Sequence, residues 1–302
     1  MVDPPALPVP AGLPARPALR PGLRVVRRDD RHLQVGIDPP LRVIVPDEAP
    51  VRRLLDDLAA GRPPSIGGRA AEPAAARCLQ RLHQHGLLVD AAALHRALAT
   101  GEDRAAAAAV FAQAGTGAEE VLTARTGNRV RVDAPSDVRQ SASRLLRAAG
   151  VGLTGEREAD IVLLVSPGPL AREVLDPLVR DGRAHVVVTP SGGEFNVGPF
   201  VGPGLTACLR CVDAHLAEHD PRRAVVLEQS GRQGPAGVEP RDPTLLTLAV
   251  AWAVRDVIRF VDGAVPATWS ATVTIGADAM PVRQGWGRHP HCGCSWGDVL
   301  VG

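Results

Sequence analysis

Residues 159–165 read Ala-Asp-Ile-Val-Leu-Leu-Val, and the run from Ile161 to Val165 is apolar throughout. A strand without polar alternation is typical of a parallel sheet that helices cover on both faces. Apolar residues at helical spacing flank this run over residues 136–149 and 170–179, and strand patterns at 129–132 and 184–188 lie beyond them. The alternation of strand and helix predicts an α/β domain with a parallel-core sheet over residues 126–302.

The remainder of this domain predicts two further helices, one strand and two loops. Residues 245–261 are strongly apolar and follow Asp242-Pro243, a typical helix start, while residues 271–275 alternate as a strand. A short helix is predicted at 212–218. Glycine and proline punctuate residues 192–204, which predicts a loop, and the polar residues 222–241 predict a mobile surface loop.

The N-terminal part has a different pattern. Residues 1–20 are rich in proline and alanine and predict an extended or disordered tail. Strand patterns at 23–27, 32–37 and 41–45 precede helical patterns at 51–60 and 74–85 and a short strand at 87–90. This order predicts a small winged-helix-like α+β domain over residues 21–91. The alanine-rich residues 92–125 predict a helical linker without a site.

The composition describes an ordinary globular protein. The chain has 302 residues, 45% of them hydrophobic, and a formal net charge of +1. This near-neutral balance disfavours a nucleic-acid binder. No apolar run is long enough to cross a membrane and none resembles a signal peptide, so a cytoplasmic protein is expected. All 34 basic residues are arginine, which excludes chemistry that requires a lysine.

Four of the five cysteines lie in two short motifs, one Cys-x-x-Cys and one Cys-x-Cys. Two such pairs can supply the four thiolates that a tetrahedral zinc ion prefers, so Cys208, Cys211, Cys292 and Cys294 are the predicted ligands. Four thiolates leave no position for water, which indicates structural zinc. Because the two pairs are far apart in the sequence, a shared metal ion would hold the C-terminal segment against the rest of a larger domain.

Other roles for these cysteines remain as alternatives. Disulfides are disfavoured without a secretory signal, and the remaining alternatives are redox chemistry and no ligand at all. Four nearby histidines could replace a cysteine ligand, but the four thiolates already complete the coordination; they are His215, His219, His289 and His291. The fifth cysteine, Cys78, lies in a helical pattern and is expected to be a small core residue.

The chain also carries a family resemblance. It resembles the ThiF-type adenylating superfamily in a glycine- and proline-rich segment before a Cys-x-x-Cys motif and in a paired-cysteine motif near the C-terminus. The likeness is closer to the cyclodehydratase-associated proteins of azole-modified peptide biosynthesis. The resemblance implies a Rossmann-like ThiF-type domain with structural zinc. The segments that carry it are Gly198-Pro199-Phe200-Val201-Gly202-Pro203-Gly204, Cys208-Leu209-Arg210-Cys211 and His289-Pro290-His291-Cys292-Gly293-Cys294.

The sequence departs from that superfamily where nucleotide would bind. Active members have a glycine-rich loop after the first strand, a lysine near the phosphates and an acidic residue that holds magnesium. Here the corresponding turn is Val132-Asp133-Ala134-Pro135-Ser136-Asp137, lysine is absent, and the strand that ends at Val165 continues as Ser166-Pro167-Gly168. Backbone N–H groups of a glycine loop are what approach the phosphates. We therefore expect no catalytic residues and no bound ATP.

The resemblance also implies a peptide partner. In the family, the winged-helix element binds the leader of a ribosomal precursor peptide. A leader would add a strand beside Arg42, Val43 and Ile44 and lie against the helix at 74–85, where Arg77 and Arg81 could meet acidic side chains. The alternative is that these arginines only solvate exposed faces. A YcaO-type cyclodehydratase and a homodimer are the other partners that the resemblance allows.

The leading hypothesis is a zinc-stabilised scaffold, not an enzyme, that binds a precursor peptide and presents it to a separate modifying enzyme. The first rival is a divergent ATP-dependent adenylating enzyme, in which Arg139 or Arg210 would have to bind phosphate. The second rival is a regulatory interaction protein whose peptide partner has been lost.

Overall fold

The computed structural model describes residues 12–64, 72–101, 103–155, 159–232 and 239–294. The chain forms two compact units, the first ending at Thr123 and the second beginning at Ala124. No described helix combines the length and the apolar character that a membrane crossing requires.

The first unit contains a small antiparallel sheet, a two-stranded ribbon and five helices. Strands β2, β3 and β4 are adjacent in that order, and β1 pairs with β5. The elements are β1 (Pro17–Leu19), β2 (Val25–Arg27), β3 (His32–Val35), β4 (Val43–Pro46), α1 (Ala49–Ala59), α2 (Glu72–Gln84), β5 (Leu88–Asp90), α3 (Ala91–Thr100), α4 (Arg104–Ala114) and α5 (Ala118–Gly127), the last of which extends across the boundary between the units.

Helices α1 and α2 are amphipathic, and their apolar faces form the core of this unit. Leu54, Leu58 and Leu82 are buried together with Val35 and Val45 of the sheet. The three predicted strands and two predicted helices are present, with boundaries shifted by a few residues. The small sheet is therefore covered on one side by a helix pair.

The N-terminal tail is shorter than the sequence predicts. Residues 17–19 form β1, which pairs antiparallel with β5, and Ala18 and Leu19 are buried. Residues 1–11 of the predicted tail lie outside the described residues. The expectation of disorder up to residue 20 was wrong. The backbone N–H and C=O groups of β1 pair with a strand about seventy residues later in the chain, and local composition does not reveal such a partner.

The predicted helical linker is helical but has a core of its own. Helices α3, α4 and α5 bury Ala93, Val110, Phe111 and Ala118 against Ala18 and Val89 of the ribbon. Asp90 caps α3 by accepting a hydrogen bond from the backbone N–H of Ala93, and Asp103 caps α4. The segment therefore packs as part of the first unit.

The second unit is built on one seven-stranded sheet, in the order β12-β11-β10-β9-β8-β6-β7. Its elements are β6 (Arg129–Asp133), α6 (Ser136–Ala148), β7 (Gly152–Leu153), β8 (Ile161–Val165), α7 (Asp176–Arg180), β9 (Ala184–Ser191), β10 (Glu194–Val201), α8 (Leu209–Ala217), α9 (Arg223–Arg232), α10 (Pro243–Val261), β11 (Ala271–Ile275) and β12 (Pro281–Gly285).

The sheet is parallel in one half only. Strands β7, β6, β8 and β9 are parallel neighbours, whereas β9, β10, β11 and β12 are antiparallel neighbours. The predicted parallel core is confirmed. The antiparallel half was not predicted, because β10 and β12 lack an apolar strand pattern.

Helices cover both faces of the sheet. Helices α6 and α10 cover one face, where Leu146, Leu163 and Val257 are among the buried residues. On the other face, Leu164 and Val187 pack with Leu178 of α7 and Val212 of α8. Successive residues of β8 and β9 point to opposite faces of the sheet, and helices cover each face. Both sets of side chains are therefore buried, which explains why the strands are uniformly apolar.

Three further expectations need correction. The helix predicted at 170–179 is a 3₁₀ turn, Arg172–Val174, followed by the short α7. The surface loop predicted at 222–241 contains α9, although residues 233–238 lie outside the described residues. The helix predicted at 212–218 begins three residues earlier, because Cys208 takes the N-cap position of α8.

The loop predicted at 192–204 was also wrong, because most of it is the buried strand β10. Phe195, Val197 and Phe200 are completely buried between β9 and β11. The pairing register shifts between Val197 and Phe200, where Gly198 has a φ of 94°. Glycine and proline form an irregularity inside this strand. Because loops are also rich in glycine and proline, the sequence alone does not distinguish the two.

Replacement of Gly198 is expected to be costly. A Cβ at this position would lie 2.6 Å from the carbonyl oxygen of Ala271 and 2.7 Å from Cβ of Thr268. Strain at positive φ and overpacking add, so Gly198→Ala should lower the free energy of unfolding by about 2–5 kcal/mol in denaturant titration. Gly204→Ala is the matched control, since Gly204 has a φ of 78° with nothing within 4 Å of the added Cβ. Equal losses in the two variants would contradict the buried-strand interpretation.

Candidate metal centre and strand-end cleft

The first cysteine pair lies where β10 leaves the sheet and α8 begins. A turn after Val201 is closed by Thr206, whose hydroxyl accepts a hydrogen bond of 3.0 Å from the N–H of Gly202. Cys208 follows as the N-cap of α8, and Cys211 lies in its first turn. Residues three apart on a helix point to the same side, so the Cys-x-x-Cys spacing brings the two thiols together.

The second pair lies in the loop after β12, which is ordered by hydrogen bonds to β11 and within the loop. Nε1 of Trp286 donates to Oγ1 of Thr272 in β11 at 2.9 Å, and the carbonyl of His289 accepts from the N–H of Cys292 at 3.0 Å. Cys292 and Cys294 lie beside the first cysteine pair, at the N-terminus of α8.

The structure brings all four predicted cysteines into one cluster, with every Sγ within 4.8 Å of the others. Cys208 Sγ lies 3.8 Å from that of Cys211 and 3.6 Å from that of Cys292, and Cys211 Sγ lies 3.3 Å from that of Cys294. Thiolates around zinc, at about 2.3 Å from the metal, are about 3.8 Å apart along the edges of the tetrahedron. The cluster could hold a metal ion and is compatible with zinc.

The environment of the cluster favours a cation. The hydrogen bond from Cys208 lowers the pKa of Cys211 to about 4. The same hydrogen bond, with burial, raises the pKa of Cys208 well above its usual value, and burial raises the pKa of Cys292 to about 12. The hydrogen bond from the Cys208 thiol thus stabilises the thiolate form of Cys211. A divalent cation would supply the positive charge that lets all four ionise.

Two ion pairs, one part-buried and one exposed, brace the helix that carries the first cysteine pair. Arg172 donates to both carboxylate oxygens of Asp213, at 2.6 and 3.0 Å. Arg210 forms a similar bidentate pair with Asp176, at 3.0 and 2.9 Å. The guanidinium of Arg210 is therefore engaged by a carboxylate on the face of α7, which weakens its candidacy as a phosphate ligand.

The histidines near the cysteines form a separate hydrogen-bonded group. Nε2 of His289 lies 3.1 Å from Glu218, its Nδ1 accepts from the N–H of His291, and Nε2 of His215 lies 3.0 Å from the carbonyl of Gly287. His215, Glu218 and His289 also place their ligand atoms within 4.8 Å of one another. Because both rings already have protein partners, we assign the group to anchoring the C-terminal loop on α8.

The cleft at the carboxyl ends of β6 and β8 has a lining unlike that of a phosphate site. A cavity of about 390 Å³ there is lined mainly by apolar groups, among them Pro135, Leu164 and Leu170. Asp133 pairs with Arg131 at 3.0 Å, and Arg139 donates to the carbonyl of Ala134 at 2.7 Å. The turn into α6 contains no glycine, as the sequence predicts.

Sequence reasoning missed several buried polar residues in this unit, Asp256 and His185 among them. His185 lies within β9 and is fully buried, and its Nε2 has no hydrogen-bond partner among the described residues. Its only signal in the sequence is a histidine inside the apolar strand pattern at 184–188. A side chain that can carry a charge is unusual in a strand that is buried on both faces, so this histidine could have been identified from the sequence.

The peptide-binding residues predicted from the resemblance lie in the first unit. Val43 and Ile44 belong to β4, at the edge of its sheet, and Arg42 precedes them. Arg77 and Arg81 are exposed on α2, which contacts β4. The residues thus surround one strand edge and the helix beside it.

A mixed sheet covered by helices, with a four-cysteine cluster between one helix and the end of the chain, defines a zinc-compatible α/β protein. No protein-family model matches the sequence, and neither does any curated protein. Solved structures, however, share its fold.

The heterocyclase TruD is 15% identical, with a TM-score of 0.69 over 93% of this chain and 42% of TruD. E. coli MccB is 15% identical, with a TM-score of 0.56 over 92% of this chain and 96% of MccB. MccB with MccA-N7isoASN gives a TM-score of 0.61 at 14% identity, over 92% and 99% of the chains. This chain therefore spans less than half of the heterocyclase and nearly all of MccB. At the level of the fold, the predicted resemblance to ThiF-like proteins associated with azole-peptide cyclodehydratases is confirmed.

Proposed function

We propose that the protein is a non-catalytic, zinc-stabilised scaffold that binds the leader of a ribosomal precursor peptide and presents it to a separate YcaO-type cyclodehydratase. The observation that carries the proposal is the edge of β4, which has no strand partner among the described residues and lies near arginines that form no ion pair there. In this proposal, residues 21–91 form the winged-helix-like recognition domain.

The edge of β4 is suited to strand addition. Among the described residues β4 pairs with β3 alone, so its other edge presents backbone N–H and C=O groups without a strand partner. Ile44 is half-buried, whereas its neighbours Val43 and Val45 face the core. A peptide strand added here would form backbone hydrogen bonds and place alternate side chains against α2.

The charge around this edge indicates the chemistry of the peptide. Arg52 and Arg62 are already paired, with Asp47 and Asp57. Arg42, Arg77 and Arg81 are exposed and form no ion pair among the described residues. Exposed guanidinium groups at the start of an edge strand and on the helix that contacts it favour a peptide that alternates apolar and acidic side chains.

The strand-end cleft supports a role other than adenylation. Its apolar lining, its Arg131–Asp133 pair and its turn without glycine offer no cradle of backbone N–H groups for a triphosphate. Among the similar structures, the heterocyclase has been solved with substrate and cofactor, and MccB with MccA. By analogy with these structures, we propose that this chain also binds a peptide.

Charge reversal at the strand edge is expected to weaken peptide binding. The probe is a fluorescent ten-residue peptide that alternates leucine and glutamate. Arg42→Glu and Arg81→Glu should each raise its Kd about five- to tenfold, since an attraction at the interface becomes a repulsion. Fluorescence anisotropy measures the Kd, and shifts of the backbone amide signals of residues 43–45 in NMR spectra locate the peptide.

The matched control is Arg104→Glu, an exposed charge reversal at the start of α4. It should leave the Kd within about twofold of the parent protein, because an exposed charge away from the interface contributes little. A second peptide, with lysine in place of glutamate, should bind weakly. If both peptides bind equally, or if binding shifts amides elsewhere, the proposed peptide site is wrong.

The absence of adenylation is tested directly. With zinc loaded and peptide present, we expect no exchange of pyrophosphate into ATP above background, and no heat on titration with ATP. Robust peptide-dependent exchange would establish the rival, an adenylating enzyme that uses arginine in place of lysine.

A further inference from the structure

Ser270 has an unusual backbone conformation for its residue type. Its φ is 48°, in the left-handed region, and among the described residues other than glycine only Ala279 also has a positive φ. Serine rarely adopts this conformation, which persists only where the surrounding structure holds it. Ala279 lies in the turn between β11 and β12, where its N–H donates to the carbonyl of Gly276. Ser270 lies in no such hairpin turn, so its conformation needs a different explanation.

The side chain of Ser270 holds the segment that leads into the first cysteine pair. Its hydroxyl oxygen accepts a hydrogen bond of 3.0 Å from the backbone N–H of Ala207. Ala207 is completely buried and directly precedes Cys208, the N-cap of α8. Because the donor is the backbone next to Cys208, this hydrogen bond restricts where Cys208 can lie.

The backbone of Ser270 holds the segment that leads into the second cysteine pair. Its carbonyl oxygen accepts a hydrogen bond of 2.8 Å from the N–H of Trp286. Trp286 directly follows β12 and packs against the buried cluster that contains Cys208, Cys211 and Cys292. Both acceptors belong to one residue, so the covalent geometry of Ser270 limits how far the two cysteine-bearing segments can move apart.

The relative position of the two cysteine pairs depends on such contacts, because the pairs come from distant parts of the chain. Cys208 and Cys292 are 84 residues apart in the sequence, and their Sγ atoms are 3.6 Å apart. Zinc binds four thiolates tetrahedrally at about 2.3 Å, so its affinity depends on how the two pairs are arranged. Removal of groups that orient metal ligands typically weakens metal binding about 10- to 100-fold.

From these contacts we infer that Ser270 is a positioning residue of the metal centre, which holds the two cysteine pairs in the arrangement that binds one zinc ion. The inference rests on the zinc site of the proposed function and is independent of the peptide edge in the first unit. The strained conformation of Ser270 is maintained because its side chain and its carbonyl each satisfy a backbone N–H of a different cysteine-bearing segment.

Zinc affinity and stability are measured separately, in the full chain loaded with zinc under reducing conditions. Competition with a chromophoric chelator of known affinity gives the Kd for zinc, and denaturant titration followed by tryptophan fluorescence gives the stability. Ser270→Ala removes the acceptor for the N–H of Ala207. It should therefore raise the Kd for zinc at least about tenfold.

Ser270→Gly separates the effect of the hydroxyl from that of the backbone conformation. Glycine adopts a positive φ without strain, so this variant should unfold at a higher denaturant concentration than Ser270→Ala. It lacks the same acceptor, so its Kd for zinc should be raised as much as that of Ser270→Ala. A role in stability alone predicts instead that the zinc affinities of the two variants follow their stabilities.

Thr274→Val is the matched control, because it also removes a hydroxyl from β11 or its flank. The Thr274 hydroxyl donates to Oδ1 of Asn196 in β10 at 2.7 Å, and neither residue belongs to the segments that carry the cysteines. Its Kd for zinc should stay within about twofold of the parent value, even where its stability is lower.

Three results overturn the inference. If both Ser270 variants bind zinc as tightly as the parent protein, Ser270 does not position the ligands, although the zinc site itself stands. If Ser270→Gly binds zinc more tightly than Ser270→Ala, in the order of their stabilities, the role of Ser270 is only structural. If the parent protein binds no zinc, the zinc site of the proposed function is wrong and the inference fails with it.

Discussion

Cys211→Ser and Cys292→Ser should each release zinc and destabilise the second unit by more than about 4 kcal/mol, the range in which loss of a metal site falls. We expect about one zinc per chain in the parent protein and well under half of that in the variants. Serine cannot replace a soft thiolate, and the remaining thiols are buried and crowded, with Sγ atoms within 4.8 Å.

Cys78→Ala is the matched control, because Cys78 is buried in the first unit and lies outside the cluster. It should retain the full zinc content and lose only about 1 kcal/mol or slightly more. All four tryptophans lie beyond residue 250, so tryptophan fluorescence reports unfolding of the second unit alone. Equal stability and zinc content in parent and Cys211→Ser would show that the cysteines are not a metal site.

Asp256→Ala is expected to destabilise the second unit by about 3–5 kcal/mol. Asp256 is 1% exposed and accepts three hydrogen bonds from the segment before β11, from the N–H groups of Ala267 and Thr268 and from the Thr268 hydroxyl, at 2.7, 2.9 and 2.5 Å. Alanine would leave these buried donors unpaired, and hydrogen bonds to a carboxylate are stronger than neutral ones.

The control is Asp278→Ala, which removes an exposed aspartate that accepts a single backbone hydrogen bond of 3.0 Å from Met280. Its cost should stay below about 1 kcal/mol. Denaturant titration followed by tryptophan fluorescence is suitable, since Trp269 stacks on Phe260 next to the affected segment. If the two aspartate variants unfold at the same denaturant concentration, Asp256 does not hold that segment.

Short-range sequence patterns were sufficient to predict part of the fold and the cysteine cluster. The clustering of Cys208, Cys211, Cys292 and Cys294 was predictable because they form two short-range pairs of the kind that shares a metal ion. The parallel half of the sheet was predictable because β8 is apolar on both faces. The peptide edge followed from element order and the family resemblance, and its role remains a proposal.

The sequence by itself determined the local elements with regular periodicity, the two cysteine pairs and the lack of a glycine-rich turn before α6, because each depends on residues close together in the chain. Only the tertiary structure decided that residues 194–201 form a buried strand, since that depends on pairing with β9 and β11. It also decided which arginines form ion pairs, as with Arg210 and Asp176, and that His185 is completely buried. Charge partners and cavities arise between distant segments, and local patterns in a single sequence carry no direct record of them.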